Sequence, residues 1–133
     1  MEYTDLYING TWREGAEGQR FDVLNPATEE VIASVASAEI ADAEAALDAA
    51  EAAMAEWATR TPRERSEILR KAWELMTARL DHFAHLITME NGKARADAMG
   101  EATYAAEFFR WFAEEAVRAD GLITHAPSSG ARI

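Results

Sequence analysis

The chain contains no cysteine, which excludes disulfides, thiolate metal sites and a thiol nucleophile within it. Proline is scarce, with Pro26, Pro62 and Pro127 making up the full set, and the seven glycines are scattered. None of those glycines forms a dinucleotide fingerprint or a phosphate-binding P-loop. Basic residues are also few: 13 Lys and Arg against 24 Asp and Glu give a net charge of −11. That balance argues against nucleic acid and anionic membranes as partners, since both require a concentrated basic surface. No apolar run reaches membrane-spanning length, and Met1 to Asp5 carry neither the basic nor the apolar region of a secretory leader. The expected location is therefore the cytoplasm.

What is present is enough for one domain: 133 residues, 49% of them apolar. Much of the apolar share is alanine, which buries little area per residue, so a thin core is expected. Charge is uneven along the chain. Glu39 to Glu56 hold six acids and no base, whereas Arg63, Arg65, Arg70, Lys71 and Arg79 follow directly. Two solvated helix faces of opposite sign account for this pattern.

The first third predicts strands. Leu6-Tyr7-Ile8 and Thr11-Trp12-Arg13 flank Asn9-Gly10, a pair that accepts the positive φ angles of a type I′ hairpin turn. Phe21 to Leu24 and Val31 to Val35 predict a second hairpin around Asn25-Pro26-Ala27-Thr28. The remainder predicts helices. Ala43, Leu47, Ala50, Met54 and Trp57 recur at helical spacing, giving a helix over about 39–58. Thr61-Pro62-Arg63-Glu64 is a capping box with proline at the first helical position. From there Ile68, Leu69, Ala72, Trp73 and Met76 line one face to about Arg79. A short helix over 82–90, capped by Asp81 and closed by Gly92, comes next. A long helix over about 94–119, stopping at Gly121, completes two hairpins followed by about four helices.

In the long helix the polar residues Thr103, Glu107, Arg110 and Glu114 share one narrow arc at about 100° per residue. Met99, Ala102, Ala106, Phe109, Ala113 and Ala116 fill one apolar side, and Tyr104, Phe108, Trp111 and Phe112 the other. Either the strand layer covers these rings or they wall a cavity.

Other residues that imitate chemistry have ordinary readings. His82 and His85 beside Asp81 lack a further ligand cluster and read as surface. Ser128 and Ser129 near His125 lack the acid and oxyanion donors of a triad. Glu114 and Glu115 are adjacent helical residues and do not face one another.

Four ordered stretches carry a family resemblance: Ile8 to Trp12, Asn25 to Thr28 with Glu30-Val31-Ile32, Arg65 to Leu69 after Trp57, and Met89-Glu90-Asn91-Gly92-Lys93. In that order they resemble the amino-terminal region of the NAD(P)-dependent aldehyde dehydrogenase superfamily. Gly100 to Phe108 and Trp111 to Ala116 look most like the succinate-semialdehyde dehydrogenase branch. The resemblance implies an α/β fold of the aldehyde dehydrogenase type. Residues 1–125 would be the front part of its coenzyme-binding domain, and 126–133 the start of an oligomerisation arm. It implies a longer parent enzyme, a homodimer or homotetramer, that uses NAD or NADP to oxidise a small-molecule aldehyde or semialdehyde.

In that family a cysteine thiolate attacks the aldehyde, a glutamate activates the hydrolytic water and an asparagine helps hold the oxyanion. All three, and the segments that bind the dinucleotide, match positions downstream of Ile133, so no catalytic or cofactor-binding residue is carried over and no turnover is expected of residues 1–133 alone. Two carry-overs remain. The helix over 94–119 would line the substrate tunnel, placing Phe108, Trp111, Phe112 and Glu115 near it. An ionised Glu115 close to the substrate would repel a dicarboxylic semialdehyde, so either it points aside or the substrate is another aldehyde. Val23, through its carbonyl, and Glu90 match a structural monovalent-cation site, although Glu90 also reads as a plain helix-end acid. After Lys93 the family commonly has proline where this chain has Ala94. The reading from a different class is a stand-alone helical interaction module that uses the aromatic face to hold a partner helix.

Overall fold

The computed structural model describes residues 3–119 and 121. Strand β1 (Leu6–Ile8) pairs antiparallel with β2 (Thr11–Arg13), and β3 (Arg20–Leu24) pairs antiparallel with β4 (Val31–Ala36). Helices α1 (Ile40–Thr59), α2 (Pro62–Thr77), α3 (Leu80–Asn91) and α4 (Arg95–Glu115) follow. The two hairpins and four helices expected of the sequence are all found.

The first hairpin turns as Asn9-Gly10 predicts, with φ of 51° and 78° at the two positions. In the second, Asn25 folds back on its own backbone: its Oδ1 accepts from the Ala27 N–H at 2.9 Å. A register shift between Val23 and Leu24 bends β3 just before this turn. Arg20 ties the hairpin to the amino-terminal segment, donating to the Asp5 carboxylate at 2.8 Å, the Thr4 hydroxyl at 2.9 Å and the Ser34 carbonyl at 2.8 Å.

Helix α1 is joined to the strands at its first turn. Asp42 is 1% exposed and accepts hydrogen bonds from the N–H groups of Ala16 (2.9 Å) and Glu39 (3.0 Å) and from the Arg13 guanidinium. The two N–H groups above all, and Arg13 with them, hold the Asp42 carboxyl below the usual carboxylate range, against the opposing effect of burial. The loop that brings Ala16 into place passes the chain closely. A Cβ on Gly15 would lie 2.1 Å from the Ser37 carbonyl oxygen, so no other residue fits there. Beyond its first turn α1 sets Ala45, Asp48, Ala49 and Ala52 beside the first hairpin, whereas Leu47, Met54 and Trp57, which share the expected face, are exposed.

Helix α2 begins at its capping box. The Thr61 N–H donates to the Glu64 carboxylate at 2.7 Å, and the Glu64 N–H donates back to the Thr61 hydroxyl at 3.3 Å. The Thr61 N–H and hydroxyl lower the Glu64 pKa.

The start of α3 corrects the sequence reading. Arg79, not Asp81, occupies the N-cap, and it makes no side-chain cap bond. Asp81 sits inside the first turn, where it accepts from Arg95 at 2.7 Å. Its partner lies fourteen residues away, so local cap spacing did not disclose this role. The far end is as expected. Gly92 takes the left-handed conformation (φ 75°) and donates to the Thr88 carbonyl at 2.9 Å. A Cβ there would also meet Pro26 Cγ at 2.9 Å, so the end of α3 seats directly on the Asn25-Pro26 turn.

Helix α4 packs against α2 and α3 through a seam of small residues: Ala98, Ala102, Ala106 and Ala113 are buried, as is Ala84 on α3. The core is thin, as the composition implies. The helix ends at Glu115 instead of running to 119, and an i to i+3 bond from the Arg118 N–H to the Glu115 carbonyl (2.9 Å) closes the last turn. Glu114 and Glu115 oppose the negative end of the helix dipole, which gives a physical reason for the earlier stop. Gly121 is exposed and lies outside any helix; the expected arm over 126–133 and the group His125, Ser128 and Ser129 fall outside the described residues.

Candidate functional site

Helical geometry sets the two apolar sides of α4 against each other. At about 100° per residue the alanine seam and the rings Tyr104, Phe108, Trp111 and Phe112 lie roughly half a turn apart. Filling the seam against α2 and α3 therefore turns the rings outward. They are exposed, Trp111 at 63% and Phe108 at 49%. The strand layer does not cover them, which settles that alternative among the described residues. Tyr104 meets Phe108 edge-on, with centroids 4.9 Å apart and planes at 78°.

Tyr104, Glu107, Phe108, Trp111 and Phe112 line an open groove of about 340 Å³. The expected residues Phe108, Trp111 and Phe112 are thus brought together. Tyr104 joins them, as its spacing of four from Phe108 allowed. Glu115 does not line this groove. It follows the rings along the helix and accepts from Arg118 Nη1 at 2.7 Å. Glu107 borders the groove from the polar arc, with its carboxylate held by Arg110 at 2.6 Å. The site is therefore an apolar aromatic wall with paired charges at its edges. It can bind an apolar or flat group, but it offers no nucleophile.

A second hollow, of about 450 Å³ between α2 and α4, is lined by Arg63, Arg70, Trp73, Arg110 and Arg118 among others. Its arginines are engaged: Arg70 with Glu67 (2.8 Å) and Glu74, Arg110 with Glu107, Arg118 with Glu115, and Arg63 with Glu67 at 3.9 Å. Glu67 first and Glu74 next raise the Arg70 pKa above its ordinary value. Arginines occupied in this way present little free field to an anion, so the aromatic groove is the better candidate.

Among the two residues matched to a cation site, Val23 lies in β3 opposite Ala33, and Glu90 in the last turn of α3. Their segments meet where Asn25 Nδ2 lies 3.9 Å from the Met89 sulfur and Pro26 faces Gly92. Glu90 itself borders a hollow beside Phe83, Glu101 and Ala102. The hydroxyl of Thr88, two residues earlier, is buried without a hydrogen-bond partner. His82 and His85 are exposed, and no cluster of three or more His, Asp or Glu suited to a metal occurs among the described residues. No helix among those residues is long and apolar enough to cross a membrane.

Comparison with known proteins gives this wall a context. The chain is 47% identical over 115 residues to the glutarate-semialdehyde dehydrogenase of Pseudomonas putida, a match covering 86% of this chain and 24% of that protein. To the NADP(+) succinate-semialdehyde dehydrogenase of Escherichia coli it is 43% identical over 114 residues, covering 86% and 24% respectively. The crystal structure of an aldehyde dehydrogenase from Brucella melitensis biovar abortus superposes with a TM-score of 0.92 at 43% identity, over 97% of this chain and 27% of that one. The chain spans about a quarter of the length of the relatives it matches. Residues 12–133 match the model of the aldehyde dehydrogenase family, and the chain belongs to that family.

Proposed function

We propose that this chain is the amino-terminal part of an NAD(P)-dependent aldehyde dehydrogenase that oxidises a carboxylate-bearing semialdehyde, of the succinate or glutarate type, to the dicarboxylic acid. The observation that carries the reading is the set of four rings standing outward on a helix whose opposite side is already filled. In the proposal they form one wall of the passage to the reacting aldehyde. The similarity to semialdehyde dehydrogenases supports the substrate class. Residues 1–125 are then scaffold and wall, and 126–133 open an oligomerisation arm of a cytoplasmic homodimer or homotetramer. With no cysteine in the chain, the nucleophile and the groups that hold NAD or NADP belong to residues beyond Ile133.

The test is to express the reading frame that continues past Ile133 and to follow nicotinamide reduction with succinate semialdehyde. Aldehyde-dependent reduction by the longer protein, and none by residues 1–133, is the expected result. Turnover by the clean 133-residue chain, or none by the longer protein, would overturn the reading.

The cation site belongs to the same proposal. A carboxylate in the last turn of α3 stands where the helix end is already negative, so a hard cation between Glu90 and the Val23 carbonyl would relieve it. Raised thermal stability in potassium or sodium over tetramethylammonium, lost in Glu90→Gln, is the expected outcome. Identical melting in all three salts would remove the site.

A further inference from the structure

Glu115 lies where an anionic substrate would be least tolerated. On the helical wheel it falls between Trp111 and Phe112, one turn beyond them, and so continues the ring stripe. It also lies in the last turn, where the backbone carbonyls add to its negative potential. Arg118 answers both, its guanidinium donating to Glu115 at 2.7 Å. Of the other acids on or beside the ring face, Glu107 is paired with Arg110 at 2.6 Å and Glu101 with Lys93, while Asp97 stands without an ion pair among the described residues, in the first turn, at the positive end of the helix dipole. Glu114, next in sequence to Glu115, turns instead into the hollow on the α2 side. In a chain of net charge −11, the stretch of this face beside the rings, from Glu101 to Glu115, is thus locally balanced.

We infer that Arg118 sets substrate specificity: by pairing with Glu115 it lets the aromatic wall accept an aldehyde that carries its own carboxylate. It is a positioning residue that acts through Glu115 and does not itself ligate the substrate. The inference rests on the reading of the ring face as the wall of the substrate path.

The experiment compares succinate semialdehyde with butanal, an uncharged aldehyde of the same chain length, in the whole enzyme. In Arg118→Met the KM for the semialdehyde should rise on the order of tenfold, because an unpaired carboxylate one turn beyond the rings then repels the substrate's own. The kcat and both constants for butanal should stay unchanged. Arg118→Lys should behave as wild type, and Glu115→Gln added to Arg118→Met should restore the semialdehyde KM. Exposed pairs of this kind contribute little to stability, so the variants should fold, and thermal melting checks this. Glu115→Gln alone, which leaves Arg118 unpaired, should not raise the semialdehyde KM.

Equal losses on both aldehydes would make Arg118 merely structural and overturn the inference. Failure of the double variant to recover would show Arg118 holding the substrate carboxylate directly, which also overturns it. A wild type that oxidises butanal but not the semialdehyde removes the substrate class and this inference with it. A wild type that oxidises no aldehyde brings down the dehydrogenase reading itself.

Discussion

Helices α1 and α4 are nearly equal in length and both rich in alanine, yet they are held in opposite ways. Helix α4 is seated along its length, with alanines one turn apart meeting α2 and α3. Helix α1 is fastened mainly at one end, through a buried carboxylate, with a few small side chains beside the first hairpin, and Leu47 and Met54 further along it stay exposed. Close packing distributes attachment over many small contacts, whereas a polar fastening concentrates it in a few directional bonds. A change at one residue should therefore have different consequences in the two regions.

The largest effect is expected at the α4 seam. Ala106→Leu forces extra volume between helices already in contact and should lower unfolding free energy by about 1–3 kcal/mol, measured by denaturant titration. A variant as stable as the parent would mean that the seam is looser than its burial implies.

Asp42→Ala should act more locally. Amide hydrogen exchange over 40–59 should quicken while 62–115 keep their protection; loss of protection in both would show one cooperative unit. The same carboxylate gives a pH signature. Its folded-state pKa is depressed, so its stabilisation is complete at neutral pH and fades as the unfolded chain takes up protons near the ordinary Asp value of about 3.9. It is gone once the pH falls below the folded-state value. Asp42→Asn should flatten that acid slope.

Thr61→Ala removes one half of the α2 capping box and should cost about 1 kcal/mol by thermal melting. Smallest of all, Trp111→Ser should leave stability within about 0.5 kcal/mol, since most of that ring is exposed, while reducing the binding of a hydrophobic dye.

Features fixed by neighbouring residues were legible before the structure. Both hairpins, the positive φ at Asn9-Gly10, the Thr61–Glu64 box and the Gly92 cap follow from local chemistry that needs no distant partner. The opposed faces of α4 were also readable, because helical spacing alone sorts Ala102, Ala106 and Ala113 from Phe108, Trp111 and Phe112. Three other features depend on partners remote in sequence. The Asp42 fastening draws on Arg13 and Ala16, Asp81 pairs with Arg95, and the α1 stripe faces outward because no described element lies against it. The pairing of Glu115 with Arg118 was within local reach, but spacing does not tell which of several acids a cation will choose.

The alanine seam has one more consequence, in entropy. An alanine has no rotamers to lose when it is buried, whereas a leucine or methionine loses on the order of 0.5–2 kcal/mol of side-chain freedom. Helix α4 thus orders its inner side with almost no loss of side-chain freedom. Its outer rings, about half or more exposed, keep more of theirs. The freezing of Phe108, Trp111 and Phe112 is left for whatever comes to lie against them, and its calorimetric signature should appear at that encounter and not during folding.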